Sequence, residues 1–368
     1  MNLATMFSGI GSVEQAFIKL KINHDIVLAC DNGNIELDIN YEKEREEIAK
    51  FKTIEEKNNY VRELYSKNSR KTNFVEKTYL HNYKIRKEDF FYDIKLINGN
   101  DYKNKVDLLV GGSPCQSFSV IGRKGGFEDT RGTLFYEYAR MIKEMQPKVF
   151  IYENVFGMLK HDNGKTWEVV QSVFDELGYH YKYQVLDARD YGIPQGRRRV
   201  FVVGFKNIEN YSKFEFPEPI KLNIKMQDLL LDNVKEGSVY FKNKKLFIDN
   251  SQGGEEVEEK YYLSEKLVKY VMNPGTKNFI HVPKIDLPIA RALLSTMGNT
   301  HRASVNNYVT TNGRIRALHP RETLRLMGYP DNFEIVVSKA QIYKQAGNSI
   351  VVNVMSAIVV KIMKALEE

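Results

Sequence analysis

Apolar positions along the chain alternate between short continuous runs and longer stretches with helical spacing. Residues 3–7 form a strand-like run ending in Ser8-Gly-Ile-Gly11, and Ser12 stands where it can cap a helix whose Val13, Ala16, Phe17 and Leu20 share one face. Residues 25–30 are a second strand-like run, closed by Asp31. Asp31 follows Gly11 by about twenty residues, the separation at which an acidic residue holds a ribose in a nucleotide-binding strand–helix–strand unit. A third run, residues 106–111, precedes a helix with Leu134, Tyr138, Met141, Ile142 and Met145 on one stripe. Pro147 separates that helix from a fourth run, 148–152, which ends in Glu153-Asn154-Val155. Thr166 then opens a helix carrying Trp167, Val170, Val173, Phe174 and Leu177, which Gly178 stops. Runs at 181–186 and 200–205 complete the series. Strands alternating with helices predict an α/β fold with a mostly parallel, doubly wound, Rossmann-like sheet.

Two stretches break the pattern. Residues 33–87 are rich in Glu, Lys, Asn and Tyr and read as a charged helical insertion with solvated faces and no chemical motif. From Pro217 to about residue 335 the chain is irregular, and residues 221–335 are expected to form a smaller second domain. Pro320 suits the first position of a helix running through Met327, which Gly328 can end, and residues 351–366 form a long helix with an apolar face. The division expected is therefore a main domain of residues 1–220 and 336–368, with 221–335 as a small irregular domain.

Composition narrows the class. A chain of 368 residues has room for two such domains. Its net charge of +7 suits a polyanionic partner without requiring one. No apolar run approaches the length of a membrane span and the N-terminus lacks the layout of a signal peptide, so a cytoplasmic protein with no membrane partner is expected. The two cysteines, Cys30 and Cys115, exclude a disulfide framework, and without a Cys/His cluster at ligand spacing no metal is expected.

The unusual residues fall together on this layout. Gly9 and Gly11 follow the first strand, Asp31 the second, Pro114-Cys115 the third and Glu153-Asn154 the fourth. In open parallel sheets such carboxyl ends bind ligands. Taken singly, each residue has a plainer reading: Cys115 as a packed thiol, Glu153 as a helix cap, the arginines of Gly196-Arg-Arg-Arg199 as phosphate contacts.

In order, Phe7-Ser-Gly-Ile-Gly11, Gly112-Ser-Pro-Cys-Gln116, Arg131-Gly-Thr-Leu-Phe135, Glu153-Asn-Val155, Gln195-Gly-Arg-Arg-Arg199, Leu318-His-Pro-Arg-Glu322 and Gln345-Ala-Gly-Asn-Ser349 resemble the motifs of DNA cytosine-5 methyltransferases, particularly those of bacterial and phage restriction-modification systems. The resemblance implies S-adenosylmethionine as methyl donor, duplex DNA as partner, a monomer working in the cytoplasm at the nucleoid, and in some systems a separate cognate endonuclease. It implies Cys115, beside Pro114, as the nucleophile, since cytosine carbon 5 attacks a methyl donor only after a thiolate adds to carbon 6. Glu153 would bind the pyrimidine with Asn154 orienting it, Arg199 would contact the cytosine O2, and Arg197 would support the site and the DNA.

For the cofactor, the resemblance implies Phe7, Gly9, Ile10 and Gly11 at the methionine end, Asp31 on the ribose, Asp93 with Ile94 at the adenine amino group, and Leu134, Asn348 and Ile350 as lining. Many relatives carry a glutamate and a covering aromatic residue where this chain has Asp31 and Asn32. DNA contacts are expected from the loop 116–132, through Gln116, Ser119, Arg123 and Lys124, which would close over a base flipped from the stack. Target choice is expected from 221–335, with Gln252, Gly253, Gly254 and Arg302 as base readers. Leu293-Leu294 replaces the Thr-Leu pair common in relatives. A tRNA cytosine-5 methyltransferase and a catalytically idle DNA-binding module are the competing readings.

Overall fold

The computed structural model describes residues 1–114, 134–274, 282–299 and 301–367. β1 (Asn2–Met6), α1 (Ser12–Leu20) and β2 (Asp25–Cys30) make the first strand–helix–strand unit. Three helices follow, α2 (Tyr41–Ile48), α3 (Ile54–Asn68) and α4 (Phe74–Asn82), before the short β3 (Phe90–Phe91). β4 (Leu108–Gly111), α5 (Leu134–Met145), β5 (Val149–Val155), α6 (Lys165–Glu176) and β6 (His180–Asp187) continue the alternation. β7 (Gln195–Gly196) and β8 (Arg198–Phe205) lead through α7 (Ile208–Lys213) into a region of small elements: β9 (Val239–Lys242), β10 (Lys245–Ile248), α8 (Glu265–Val271), β11 (Ala290–Arg291), β12 (Tyr308–Thr311) and β13 (Arg314–Ala317). α9 (Pro320–Arg325), α10 (Lys339–Asn348) and α11 (Val352–Leu366) close the chain.

The main sheet has seven strands in the order β3-β2-β1-β4-β5-β8-β6. β3 through β5 are mutually parallel, and β8 runs antiparallel to both neighbours. The mostly parallel, doubly wound sheet is thus as the apolar runs predict. The reversal of β8 comes from its connection: no α-helix lies between β6 and β8, so the chain returns directly instead of crossing over. Alternate side chains of each central strand serve opposite faces. Val149 and Ile151 join Phe17 of α1 and Met355, Ile358 and Ile362 of α11, while Phe150 and Tyr152 join Phe135, Met141 and Ile142 of α5 and Phe174 of α6. Met226, Leu229, Leu230, Leu293 and Leu324 belong to the same core as α1 and α11, so the irregular region is fastened to the sheet by apolar packing.

Buried ion pairs hold the irregular region to itself. Arg316 is fully buried and donates to Glu322 and Asp232 at 2.6–2.9 Å, and Arg325, also fully buried, pairs with Asp331 at 2.7 Å and donates to the carbonyls of Leu229, Val234 and Lys235. Glu322 also accepts the backbone N–H groups of Leu231 and His319. The Leu318-His-Pro-Arg-Glu322 motif therefore works as a lock within this region: removing either member of such a pair leaves a buried charge uncompensated.

Several expectations need correction. Ser12 does not cap α1; Gly11 does, in a left-handed conformation (φ 75°) without a side-chain bond. Thr166 likewise lies inside α6, which begins at Lys165 after the left-handed Gly164. Residues 339–366 are long and apolar enough, by length and composition, to cross a membrane, which the sequence reading overlooked. The segment is divided at Ser349–Val351 into α10 and α11, and the buried side of α11 packs on the core. Residues 33–87 form helices but are more than a solvated excursion, because Ile35, Leu37, Ile48, Val61 and Tyr65 make a core of their own with Leu96.

Candidate active site

A cavity of about 410 Å³ opens at the carboxyl edge of the parallel strands, within the size range of small-molecule sites. β1, β2, β3 and β4 contribute to its wall through the residues that follow them, Phe7, Asp31, Tyr92 and Gly112, and β5 through its last three, Glu153 to Val155. After β1 the chain turns sharply, with Phe7 (φ 55°), Gly9 (φ 54°) and Gly11 (φ 75°) all left-handed. Ser8 fixes this turn to β2, its N–H donating to the Cys30 carbonyl at 3.0 Å and its Oγ accepting the Cys30 N–H at 2.9 Å. Sequence reasoning passed over Ser8, whose partner lies 22 residues away.

Phe7 and Gly9 line the cavity, but Ile10 and Gly11 do not. Ile10 is fully buried in the core, and Gly11 lies against the Tyr83 ring: a Cβ there would fall 2.2 Å from a ring carbon. The Tyr83 hydroxyl donates to the carbonyls of Ile10 and Gly11 at 2.9 and 2.7 Å. Gly11 is thus required by the fold behind the site. Ile350 is set back as well, in a small void shared with Ser12, Gly9, Gly112 and Asn348.

Asp31, Asn32, Asp93, Ile94, Leu134 and Asn348 line the cavity as expected from the sequence, together with Cys30, Tyr92, Ser295 and Lys344, which that reading missed. Asp31 Oδ2 accepts the Gly9 N–H at 3.0 Å and Oδ1 the Gly33 N–H at 2.8 Å. Each oxygen keeps a second acceptor position, an acceptor set suited to a pair of vicinal hydroxyls. Burial pushes the Asp31 and Asp93 carboxyls above the ordinary range, against hydrogen bonds that favour the ionised form. Burial, then the two nearby aspartates, push the Cys30 thiol well up, so it is held neutral and is unsuited to nucleophilic attack.

Glu153 and Arg199 meet on the other side of the cavity. β8 starts at the edge where β5 ends, and their register pairs Val155 with Arg199. Arg199 Nε lies 3.1 Å from Glu153 Oε1. Burial raises the Glu153 carboxyl above its usual range, opposed by the charges of Arg199 and Arg197. Gly112 lies against this carboxylate, where a Cβ would be 2.9 Å from Oε2. Asn154 donates to the Ser113 carbonyl at 3.0 Å and the Tyr152 hydroxyl at 2.9 Å, which ties β5 to the turn after β4. Pro114 stands on the cavity wall. Cys115, Gln116, Ser119, Arg123 and Lys124 lie outside the described residues.

Arg197 lines the cavity, but its guanidinium is committed elsewhere. It donates to the carbonyls of Leu293 at 3.0 Å, Gly347 at 2.9 Å and Ser349 at 2.7 Å, and burial lowers its pKa to about 9. The neighbouring Gln195 holds the Leu293 N–H at 3.0 Å and donates to the Leu326 carbonyl. Gln252 and Gly253 are exposed, as is Arg302; Gly254 is pressed against the Asp232 backbone, where a Cβ would lie 1.9 Å from the carbonyl oxygen. Among the described residues no cluster of His, Cys, Asp and Glu is placed to hold a metal ion.

The sheet with its reversed β8, and a strand-edge cavity pairing a ribose-type acid with a half-buried Glu–Arg pair, define a Rossmann-like methyltransferase. The fold agrees with that of the S. pombe Dnmt2 methyltransferase, at TM-score 0.65 and 16% identity over the full length of both chains. The chain belongs to the C-5 cytosine-specific DNA methylase family, whose pattern matches residues 1–364. It is 40% identical over 261 residues to the type II methyltransferase M.HhaI of Haemophilus parahaemolyticus, covering 71% of this chain and 76% of the relative. It is 36% identical over 306 residues to M1.ScrFI of Lactococcus lactis subsp. cremoris, covering 80% and 71%. The chain is accordingly a DNA cytosine-5 methyltransferase.

Proposed function

We propose that this enzyme methylates carbon 5 of a cytosine flipped out of a specific duplex DNA sequence, with Cys115 as nucleophile and S-adenosylmethionine as donor. The observation that carries the reading is the half-buried Glu153–Arg199 pair, 3.1 Å apart, on the wall of the cavity that also holds Asp31 and Asp93. S-adenosylmethionine supplies an electrophilic methyl group when bound. The Asp31 carboxylate, already fixed by Gly9 and Gly33, would receive its ribose hydroxyls, and Asp93 its adenine amine.

In the pyrimidine half, Cys115 as thiolate adds to carbon 6, and Glu153 holds a proton at N3 as charge develops on the ring. Its raised pKa suits a carboxyl that must donate. Arg199 orients that carboxyl and presents the rest of its guanidinium to the base. After methylation, loss of the carbon-5 proton expels the Cys115 thiolate and restores the aromatic ring. We place target choice in 221–335, with Gln252 and Arg302 as exposed donors, and closure over the flipped base in the loop 116–132.

Duplex DNA containing 5-fluorocytosine in the target sequence tests this directly, because the fluorine cannot leave as a proton does and the adduct accumulates. A covalent complex that requires S-adenosylmethionine and disappears in Cys115→Ser is expected. DNA binding by the wild type without adduct would refute the mechanism, and bisulfite sequencing of DNA from expressing cells would give the target.

A further inference from the structure

The cavity's acceptor for a purine amino group is built by the insertion. Asp93 Oδ2 accepts hydrogen bonds from the Tyr41 hydroxyl of α2 at 3.1 Å and from the Tyr65 hydroxyl of α3 at 3.0 Å, while Oδ1 accepts only the Lys95 N–H at 3.0 Å. Two donors fill the acceptor capacity of Oδ2 and leave Oδ1 with its remaining lone pair. Both tyrosines are held by other contacts. The Lys95 ammonium lies 4.5 Å from the centre of the Tyr41 ring, and Tyr65 meets Tyr92 edge-on at 5.1 Å. Tyr92 itself lines the cavity, with its hydroxyl on Glu76 at 2.6 Å and its ring under Arg62, both from the insertion. Asn73, just before α4, donates to the Asp31 carbonyl at 2.8 Å.

From this geometry we propose that Tyr41 and Tyr65 are positioning residues that fix the Asp93 carboxylate as an acceptor and so make the cofactor site selective for a 6-amino purine. The inference rests on the reading of this cavity as the S-adenosylmethionine site. The two hydroxyl donors on one oxygen fix the carboxylate's rotation and, with the Lys95 N–H, favour its ionised form against burial, and an ionised Oδ1 can only accept. A 6-amino group donates to it, whereas a 6-oxo group meets it lone pair to lone pair. The insertion thereby supplies what the short Asp31-Asn32 pair lacks.

Calorimetric titration with S-adenosylhomocysteine and S-inosylhomocysteine, which differ at the purine 6 position, tests this in the intact protein. The wild type is expected to favour the adenosyl ligand strongly. Tyr41→Phe and Tyr65→Phe should each reduce that preference about 3- to 10-fold, the scale of one net hydrogen bond, and the double variant should reduce it further. Thermal midpoint and DNA affinity should stay near wild type, and KM for the donor should rise while kcat holds. An unchanged preference in the double variant overturns the proposal, as does equal loss of both ligands, which would mark the tyrosines as supports of the fold alone. Failure of the wild type to bind either ligand would instead overturn the assignment of the cavity, and the inference with it.

Discussion

One added methyl group separates two glycines that share a motif. Gly11 and Gly9 both have positive φ, but a Cβ at Gly11 would lie 2.2 Å from the Tyr83 ring, whereas at Gly9 the nearest atom is the Phe7 carbonyl oxygen at 4.0 Å. Tyr83 has little room to withdraw: its ring packs on Tyr79 at 4.8 Å and its hydroxyl serves two carbonyls. Gly11→Ala therefore combines left-handed strain of about 1–2 kcal/mol with overpacking of about 1–3 kcal/mol, roughly 2–5 kcal/mol in all. At about 2–4 °C per kcal/mol for a chain somewhat smaller than this one, the thermal midpoint should fall by about 4–20 °C. Gly9→Ala carries only the strain of about 1–2 kcal/mol, so its midpoint should fall by about 2–8 °C. Its methyl group stands at the cavity, and S-adenosylhomocysteine should bind at least about tenfold more weakly. Calorimetric melting without ligand, followed by titration, measures both effects. Tyr83→Ala in the Gly11→Ala background should recover the overpacking part, giving a double variant more stable than the two losses added. A Gly11→Ala midpoint within about 2 °C of wild type, or strict additivity in the double variant, would refute the packing argument.

Further outcomes follow from three groups, Glu153, Arg197 and Glu14. Glu153→Gln should slow single-turnover methyl transfer by roughly 10²–10⁴-fold with DNA affinity little changed; an unaltered rate removes Glu153 from the chemistry. In the wild type, rapid-quench rates should fall as pH rises through the raised Glu153 pKa, because the proton-donating form is lost. Arg197→Ala strips three buried carbonyls of their donor and should lower stability by about 3–5 kcal/mol in denaturant titration; a variant of normal stability that only binds DNA poorly would return Arg197 to a phosphate-binding role. Glu14 is wholly buried with one oxygen on Thr5 and Tyr79 and the other unpartnered, and burial raises its pKa above 4.5. Its folded pKa exceeds the unfolded one, so its contribution is complete below about pH 4.5 and is lost as pH rises through the folded value. Glu14→Gln should flatten that dependence in urea melts taken across pH, and an unchanged slope would show that Glu14 does not titrate with folding.

The order of strands and helices was legible because apolar runs and helical stripes are local signals. So were Gly9, Asp31, Asp93, Glu153 and Arg199, each delivered to one sheet edge by a strand. What stayed hidden depends on partners distant in sequence. Ile10 and Gly11 look like cofactor residues beside Gly9, and only the position of Tyr83 assigns them to the fold. The direction of β8 is absent from its apolar run, although the lack of a helical stripe between residues 187 and 198 is a cue. Tyr41 and Tyr65 sit in segments whose charge suggests solvent, and their partner Asp93 lies 52 and 28 residues away. Ser12 and Thr166 have capping chemistry, but a left-handed glycine precedes each helix start and takes the cap position.

The segment 195–199 shows how the regions act on one another. Its odd-numbered residues bond to both the irregular region and the cavity wall. Gln195 takes the N–H of Leu293 and Arg197 takes its carbonyl, so the backbone of the irregular region is held on both sides at one residue. The same Arg197 holds Gly347 and Ser349, which flank the cavity-lining Asn348, and Arg199, two residues on, pairs with Glu153. Ser295, two residues beyond Leu293, also reaches the cavity wall. A shift of 290–295 on engaging DNA must then either break buried hydrogen bonds, at about 1–3 kcal/mol for each group left unpaired, or carry β7 and the 347–349 turn with it. The irregular region and the cavity wall are joined through five residues, and two arginines of one motif, alike in sequence, make different contacts: Arg197 with backbone carbonyls and Arg199 with Glu153.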